Sequence, residues 1–160
     1  MPWTKPYQPA RNQRLEAEAY SRPDRVYFMT LRAYRGQAPF REANLCQTIV
    51  QVLVEERQRQ QCAIYVYCLM PDHLHMLLSP RREGLSVLTF VEQFKGKSTN
   101  KSWAVGWVGR LWQPRFYDHI VGHEESVKSI AEYVLGNPVR KGLVHEIDEW
   151  PWSGQPDSYW

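Results

Sequence analysis

The chain has 160 residues, of which 43% are hydrophobic and 13% aromatic, and its formal net charge is +3. These values exclude a disordered chain and favour one globular domain, while the small positive charge is compatible with a polyanionic partner without requiring one. No apolar run is long enough to span a bilayer, and three cysteines without metal-motif spacing, in a chain with no signal peptide, predict a reducing, cytoplasmic location.

The first third of the chain predicts an arm, a strand and a helix. Residues 1–24 contain several prolines and no clear periodicity, so they predict an N-terminal arm that ends in a short helix. Residues 25–34 alternate between β-forming types and predict a strand. Residues 40–61 have apolar side chains near helical spacing and a charged tail, and they predict a helix.

The rest of the predicted domain, which runs from residue 25 to residue 160, contains a hairpin and two more helices. The hairpin consists of a strand over 62–70, a tight turn at Pro71-Asp72 and a strand over 73–80. After it we expect a helix over about 85–101 and a strand or extended segment over 111–121. A helix over 124–137 and a Trp-rich tail complete the chain. The order β-α-β-β-α-β predicts an α+β fold of the ferredoxin-like, split βαβ kind, with an antiparallel sheet and helices on one face. That fold serves many functions, so function must be argued from a site.

Two histidines stand one residue apart in the strand over 73–80. Alternate side chains of a strand share a face, so His73 and His75 should project side by side, with Leu74 behind them in the core. Imidazoles are common ligands of divalent metals, but two ligands do not make a site. The pair by itself is more typical of hairpin histidines that bond to backbone or solvent, so a third group has to decide.

The helix over 124–137 offers candidates for that third group. Its apolar stripe consists of Val127, Ile130, Ala131, Val134 and Leu135. Tyr133 and Asn137 lie off the stripe and one turn apart, so a hydroxyl and an amide oxygen should point in the same direction. The alternative is a partly buried tyrosine followed by an Asn-Pro pair that ends the helix.

Four ordered segments link these residues to a known family. They are MPDHLHMLL (70–78), LWQPRFYDHIV (111–121), AEYVLGNPVRKGLV (131–144) and DEWPWS (148–153). In order and spacing the chain resembles the REP-associated tyrosine transposases, which are single-strand DNA transposases of the HUH (histidine-hydrophobe-histidine) type in the IS200-like transposase family. The resemblance runs from about residue 25 to residue 153 and leaves the arm unmatched.

The resemblance implies an endonuclease and strand transferase that depends on Mg²⁺ or Mn²⁺ and acts on single-stranded or hairpin-forming repeat DNA, in a cytoplasmic, nucleoid-associated setting. His73, His75 and Asn137 would bind the metal. Tyr133, carried on a C-terminal helix, would be the nucleophile that becomes a covalent 5′-phosphotyrosine. A homodimer is compatible with this interpretation, and the sequence leaves open whether Tyr133 serves its own histidines or those of a partner.

Other residues compete for these roles. Tyr117 is a rival nucleophile, His119 is a weaker candidate ligand, and Asp72 is more typical of a turn residue than of a ligand. Basic side chains could contact phosphates and tryptophans could stack on bases, although each fits a solvated face or a core equally well. These candidates are Lys95, Lys97, Lys101, Arg110, Arg115, Arg140, Lys141, Trp103, Trp107 and Trp112.

Two rival functions remain open at the level of sequence. One is a transposase-derived module that binds nucleic acid but no longer cuts it, against which the intact histidine, tyrosine and asparagine set argues. The other is an unrelated hydrolase with zinc on the two histidines, which would need a carboxylate as the third ligand and no tyrosine. A covalent protein–DNA adduct separates the transposase hypothesis from both.

Overall fold

The computed structural model describes residues 2–11 and 13–159, which are built around a five-stranded antiparallel sheet. The strands are β1 (Tyr27–Ala33), β2 (Cys62–Met70), β3 (His73–Pro80), β4 (Trp112–Ile120) and β5 (Ser153–Gly154). The α-helices are α1 (Ala43–Gln60), α2 (Val87–Ala104), α3 (Val127–Leu135) and α4 (Asn137–Arg140). The sheet order is β4-β1-β3-β2-β5, so β3 lies between β1 and β2 as in a split βαβ unit. The predicted α+β class, with an antiparallel sheet, is confirmed.

The two faces of the sheet belong to separate hydrophobic clusters. Leu74 and Met76, which alternate with their neighbours, pack in the cluster that contains α1 and α2. Phe28 and Leu77 point the other way and pack in the cluster that contains Ile130 of α3. Thus α1 and α2 cover one face, and α3 covers the opposite face, which also carries the odd-numbered side chains of β3.

A bulge in β2 sets which of its side chains face α3. Ile64 pairs with Leu78, but Val66 already pairs with Leu77, so Tyr65 is an extra residue in the ladder. The alternation of β2 therefore shifts by one position after Tyr65. As a result Val66 belongs to the cluster on the α3 face, although Ile64 belongs to the cluster on the other face.

The predicted helix over 124–137 begins later and divides near its end. Ser126 caps α3 by accepting a hydrogen bond from the amide of Ser129 at 3.1 Å. The helix ends at Leu135, and α4 then begins at Asn137. Pro138 has no amide hydrogen, so it is tolerated in the first turn of a new helix but not inside a continuous one.

The tail adds a strand that sequence analysis missed. Tyr67 of β2 pairs with Gly154 of β5. Next to this pair, the indole of Trp150 donates to the carbonyl of Leu69 at 3.1 Å, and the amide of Leu69 donates to the carbonyl of Trp152 at 2.8 Å. A two-residue strand is too short to show alternation, and these contacts close the edge of β2.

The described residues hold no disulfide and no membrane span. Cys46, Cys62 and Cys68 are all free and buried. Burial raises the pKa of Cys46 to about 11 and the pKa values of Cys62 and Cys68 to about 12, so the thiols stay protonated at neutral pH. No helix within residues 2–11 and 13–159 combines the length and apolar character needed to cross a membrane.

Candidate metal and nucleophile site

The two histidines of β3 converge on one point. His73 and His75 are 7% and 4% exposed, and both lie on the face of the sheet that α3 covers. Their rings meet edge to face with centroids 4.5 Å apart, and their Nε2 atoms are 3.1 Å apart. The predicted side-by-side projection, with Leu74 in the opposite cluster, is therefore what the structure shows.

The other ring nitrogen of each histidine is held by a polar neighbour. Asp72 Oδ1 lies 2.6 Å from Nδ1 of His73, and because a carboxylate only accepts, Nδ1 donates and Nε2 keeps its lone pair. Thr30 Oγ1 lies 2.8 Å from Nδ1 of His75 and can accept in the same way. In that tautomer both Nε2 lone pairs face each other, which is unfavourable alone but fits a cation bound to both.

The surroundings of both histidines favour the neutral imidazole, which is the form that binds metals. Burial lowers the pKa of His73, although its hydrogen bond to Asp72 acts in the opposite direction. Burial also lowers the pKa of His75 well below its ordinary value, and the neighbouring His73 lowers it further. Neutral imidazole is the ligating form, so protons do not compete strongly for these nitrogens at neutral pH.

Asn137 supplies a third candidate metal ligand next to the histidine pair. Its side chain is 4% exposed, and its amide group lies 3.2 Å from Nε2 of His73. Rotation of the amide by 180° exchanges its oxygen and nitrogen, so the oxygen can face the same space. In the described part of the chain no three His, Cys, Asp or Glu side chains form a possible metal cluster. The third group beside the two histidines is the amide of Asn137, whereas a zinc hydrolase of the kind considered above would need a carboxylate there.

Tyr133 lines the same cavity as the three donors. The cavity has a volume of about 450 Å³, and His73, His75, Asn137 and Tyr133 all contribute to its wall. The half-buried Tyr133 ring lies 6.5 Å from the ring of His75, and the guanidinium carbon of Arg140 is 4.0 Å from its centroid. One chain thus brings together all four residues that sequence analysis singled out.

The cavity is also electropositive. Four cationic side chains line it, namely Lys5, Arg32, Arg41 and Lys141. No carboxylate in the described part of the chain forms an ion pair with any of them. Among the described residues, the only acid in the wall is Asp72, which is bonded to His73. Burial, with help from nearby Arg32, lowers the pKa of Lys5 to about 8. Such a cavity favours an anionic ligand.

The rival nucleophile and ligand lie outside this wall. Tyr117 is 5% exposed, its hydroxyl donates to the carbonyl of Pro6 at 2.7 Å, and burial raises its pKa. His119 Nε2 lies 2.7 Å from a carboxylate oxygen of Glu125. Neither side chain lines the cavity that contains the two histidines of β3. Burial and these hydrogen bonds account for the positions of Tyr117 and His119 in the fold.

Three of the residues expected to bind DNA have hydrogen-bond or ion-pair partners within the fold. Lys95 donates to the carbonyl of Gln113 at 2.7 Å, and Lys97 is 2.6 Å from Glu56. Trp112 is 5% exposed and its indole donates to Ser98 at 2.8 Å, so its ring cannot stack on a base in this structure. DNA binding by Lys95, Lys97 and Trp112 stays a prediction, and it would require each side chain to exchange its present partner for DNA.

The other DNA-binding candidates remain available. Lys101, Arg115 and Arg140 are exposed, and Trp103 is 52% exposed. Lys101 and Trp103 belong to α2, on the opposite face of the sheet from the histidines, whereas Arg140 stacks on Tyr133. Lys141, another candidate, lines the cavity itself. The DNA contacts of all these residues stay predictions, and Lys101 and Trp103 lie away from the cavity.

Several residues of the site were missed in the sequence. Thr30 and Arg32 pair across β1 and β3 with His75 and His73, so they share the histidines' face. The period of two in residues 25–34 could have revealed both, since opposite residues of an antiparallel pair point to one side. Lys5 belongs to the arm, where no local pattern indicates which part of the sheet it will reach.

Comparison with protein families gives a clear match. The model for the family described as "Transposase IS200 like" matches residues 25–137. That match contains both histidines, Tyr133 and Asn137, and it leaves out the arm and the Trp-rich tail.

Two curated proteins are similar over part of this chain. The REP-associated tyrosine transposase of Escherichia coli strain K12 is 22% identical over 107 residues, which cover 67% of this chain and 62% of that protein. A Haemophilus influenzae protein provisionally named as a REP-associated tyrosine transposase is 26% identical over 110 residues, which cover 59% of this chain and 62% of that protein. The chain therefore spans 62% of the length of each relative.

Solved structures share the fold. A REP-associated tyrosine transposase bound to a REP hairpin superposes with a TM-score of 0.70 at 20% identity, over 88% of this chain and 82% of that chain. A crystal structure assigned to a transposase of Deinococcus radiodurans superposes with a TM-score of 0.53 at 20% identity, over 76% of this chain and 95% of that chain. At this identity both likenesses concern the arrangement of helices and strands.

Proposed function

The chain belongs to the IS200-like transposase family, and on this premise we propose that it is a metal-dependent single-strand DNA endonuclease and strand transferase. One observation carries the proposal. The Nε2 atoms of His73 and His75 lie 3.1 Å apart, next to the Asn137 amide, in the cavity that Tyr133 lines. The substrate we propose is a DNA repeat that folds into a hairpin, since a curated relative and a solved neighbour are named for REP sequences.

His73, His75 and Asn137 would hold a Mg²⁺ or Mn²⁺ ion. Two neutral imidazoles and one amide oxygen are suitable donors, and they leave coordination positions for oxygens of the substrate. When bound, the ion would neutralise charge on the non-bridging oxygens of the scissile phosphate. Asp72 and Thr30 orient the two rings, so the donors are positioned before substrate arrives.

Tyr133 would be the nucleophile. Its hydroxyl oxygen forms a bond to phosphorus and loses its proton, while the bond between phosphorus and the 3′-oxygen breaks and that oxygen gains a proton. The product is a 5′-phosphotyrosine and a free 3′-OH. Because a phenolate leaves more readily than an alkoxide, a second 3′-OH can attack the linkage and rejoin DNA without ATP.

A single chain carries the complete set of residues. The ring of Tyr133 lies 6.5 Å from the ring of His75 of the same chain, and both line one cavity. We therefore assign cleavage to Tyr133 acting with the histidines of its own chain. Arg140, stacked on the Tyr133 ring at 4.0 Å, restricts the orientation of the nucleophile.

The shape and charge of the cavity favour a single strand. A continuous duplex would bring a second, stiff strand against α3, whereas a single strand can bend its phosphate toward the histidines. The arginine and lysine side chains that the domain itself contributes to the wall, Arg32, Arg41 and Lys141, would bind its backbone. A neighbouring hairpin would then serve as the recognition element, and the cut would fall in the single-stranded flank.

Cleavage of one labelled repeat tests the proposal. We expect the protein to cut the repeat as a single strand with Mg²⁺ or Mn²⁺, and to stop when EDTA removes the metal or when the full complement is annealed. His73→Ala should abolish cleavage, and Asn137→Ala should reduce it less, because water can replace one ligand. His123→Ala, at an exposed histidine outside the cavity, is the matched control and should cut normally. Equal rates on single strand and duplex would contradict the proposal.

A further inference from the structure

The N-terminal arm is fixed along the sheet beside the proposed active site. Arg11 and Phe116 of β4 exchange two backbone hydrogen bonds of 2.7 and 2.9 Å. Nearer the start of the chain, the hydroxyl of Tyr117 donates to the carbonyl of Pro6 at 2.7 Å. The arm is therefore attached to an edge strand at two points, although the match to the family begins only at residue 25.

Trp3 anchors the beginning of the arm against the nucleophile. Its ring packs edge to face on Tyr133 with centroids 5.0 Å apart, and it also contacts Phe28 at 5.3 Å. Its indole N–H donates to Glu125 Oε2 at 2.6 Å. Glu125 is itself fixed by His119 at 2.7 Å. Trp3 thus limits where the ring of Tyr133 and the next few residues of the arm can lie.

Two residues later, Lys5 enters the cavity. It lines the wall together with the histidine pair and Tyr133, and its ammonium lies 4.0 Å from the ring centroid of Tyr117. In the part of the chain that the structure describes, no carboxylate forms an ion pair with this half-buried ammonium, and no other polar group bonds to it. The face of the Tyr117 ring stabilises this partly desolvated ammonium, and an anion bound in the cavity would stabilise it more strongly.

We infer that Lys5 binds a backbone phosphate of the strand held in the cavity, and that the arm is a wall of the active site rather than an appendage. This inference rests on the proposed function for the identity of the anion. It adds a substrate-binding residue from outside the segment that the family model matches. Trp3 acts as a positioning residue, since it contacts Tyr133 and holds the arm that presents Lys5.

The salt dependence of DNA binding tests this inference. Each phosphate contact to a single strand contributes roughly 0.7 to the slope of log Kd against log salt concentration. Lys5→Met removes the ammonium and keeps the length of the side chain, so the slope should fall by about 0.7. A fourfold rise in salt should then weaken the variant about 2.6-fold less than the unchanged protein. Lys5→Arg should restore the slope.

Lys128→Met is the matched control, because Lys128 is an exposed lysine of α3 that does not line the cavity. Its slope should equal that of the unchanged protein. Binding is measured in EDTA with the single-stranded repeat, so the result does not depend on cleavage. If the protein binds the repeat but never cuts it, the proposed function is contradicted, whereas the salt dependence still shows whether Lys5 contacts a phosphate. An unchanged slope for Lys5→Met, with an unchanged Tm, or no binding of the repeat by the unchanged protein, would overturn the inference.

Discussion

Asp72 should control how tightly the site binds its metal. Its carboxylate accepts the Nδ1–H of His73 at 2.6 Å, which fixes the tautomer and directs Nε2 toward the cavity. Asp72→Ala removes this acceptor, so the ring can adopt the other tautomer or rotate. We therefore expect weaker metal binding without loss of either imidazole.

The size of the effect follows from the exposure of the carboxylate. Loss of the group that accepts a hydrogen bond from a metal-ligating histidine usually lowers metal affinity or activity 10–100-fold, which corresponds to roughly 1.4–2.7 kcal/mol. The Asp72 side chain is 48% exposed, so water can replace part of the lost bond. The expected loss for Asp72→Ala is therefore near the lower limit, about tenfold. Asp72→Asn removes the charge but keeps an oxygen that can accept the hydrogen bond, so its metal affinity should fall by less than that of Asp72→Ala.

Titration of Mn²⁺ measures this loss directly. The Kd for Mn²⁺ is obtained from the free-ion EPR signal, and the Mn²⁺ concentration for half-maximal cleavage is obtained in parallel. Both should rise about tenfold in Asp72→Ala, while saturating metal should restore most of the cleavage rate. Asp148→Ala, at an exposed acid of the tail, is the control. Unchanged Mn²⁺ affinity in Asp72→Ala would refute the reasoning, as would a rate that saturating metal does not restore.

Two further predictions concern stability. Burial would raise the pKa of Glu56, but hydrogen bonds from Arg59 and Lys97 outweigh it and lower the value from 4.5 to about 2. The resulting stability, at most about 3 kcal/mol, is present above pH 4.5 and is lost as the pH falls toward 2. In urea unfolding, Glu56→Gln should therefore be less stable at pH 7 and approach the unchanged protein near pH 2. Trp112→Ala should lose about 3–5 kcal/mol of unfolding free energy, whereas Trp103→Ala should change it by less than about 0.5 kcal/mol. Equal losses in the two tryptophan variants would contradict the placement of Trp112 in the core.

The hairpin that carries the histidines on its second strand could be predicted because its signals are local. Residues 62–70 and 73–80 have the predicted bounds, since β-forming residues flank a Pro-Asp turn that permits only a tight hairpin. The same alternation places His73 and His75 side by side. The sequence predicted a helix over 124–137 but not where it begins and ends. Its start is set by the cap at Ser126, and its division near the end is set by Pro138.

The features that could not be predicted depend on distant contacts. Tyr65 bulges from β2 only because its neighbours pair with fixed positions of β3. The two-residue β5 exists because Trp150 and Trp152 bond to the edge of β2. Lys5 reaches the site because Trp3 packs on Tyr133, more than a hundred residues away in the chain. No local periodicity encodes such pairings.

The covalent adduct tests the central claim most directly. The protein is incubated with the single-stranded repeat and Mn²⁺, denatured and digested, and mass spectrometry then locates the DNA on a peptide. We predict a 5′-phosphate linked to Tyr133, no adduct with Tyr133→Phe, and a normal adduct with Tyr117→Phe. DNA attached to Tyr117, or cleavage by the Tyr133→Phe protein at the normal rate, would contradict this prediction.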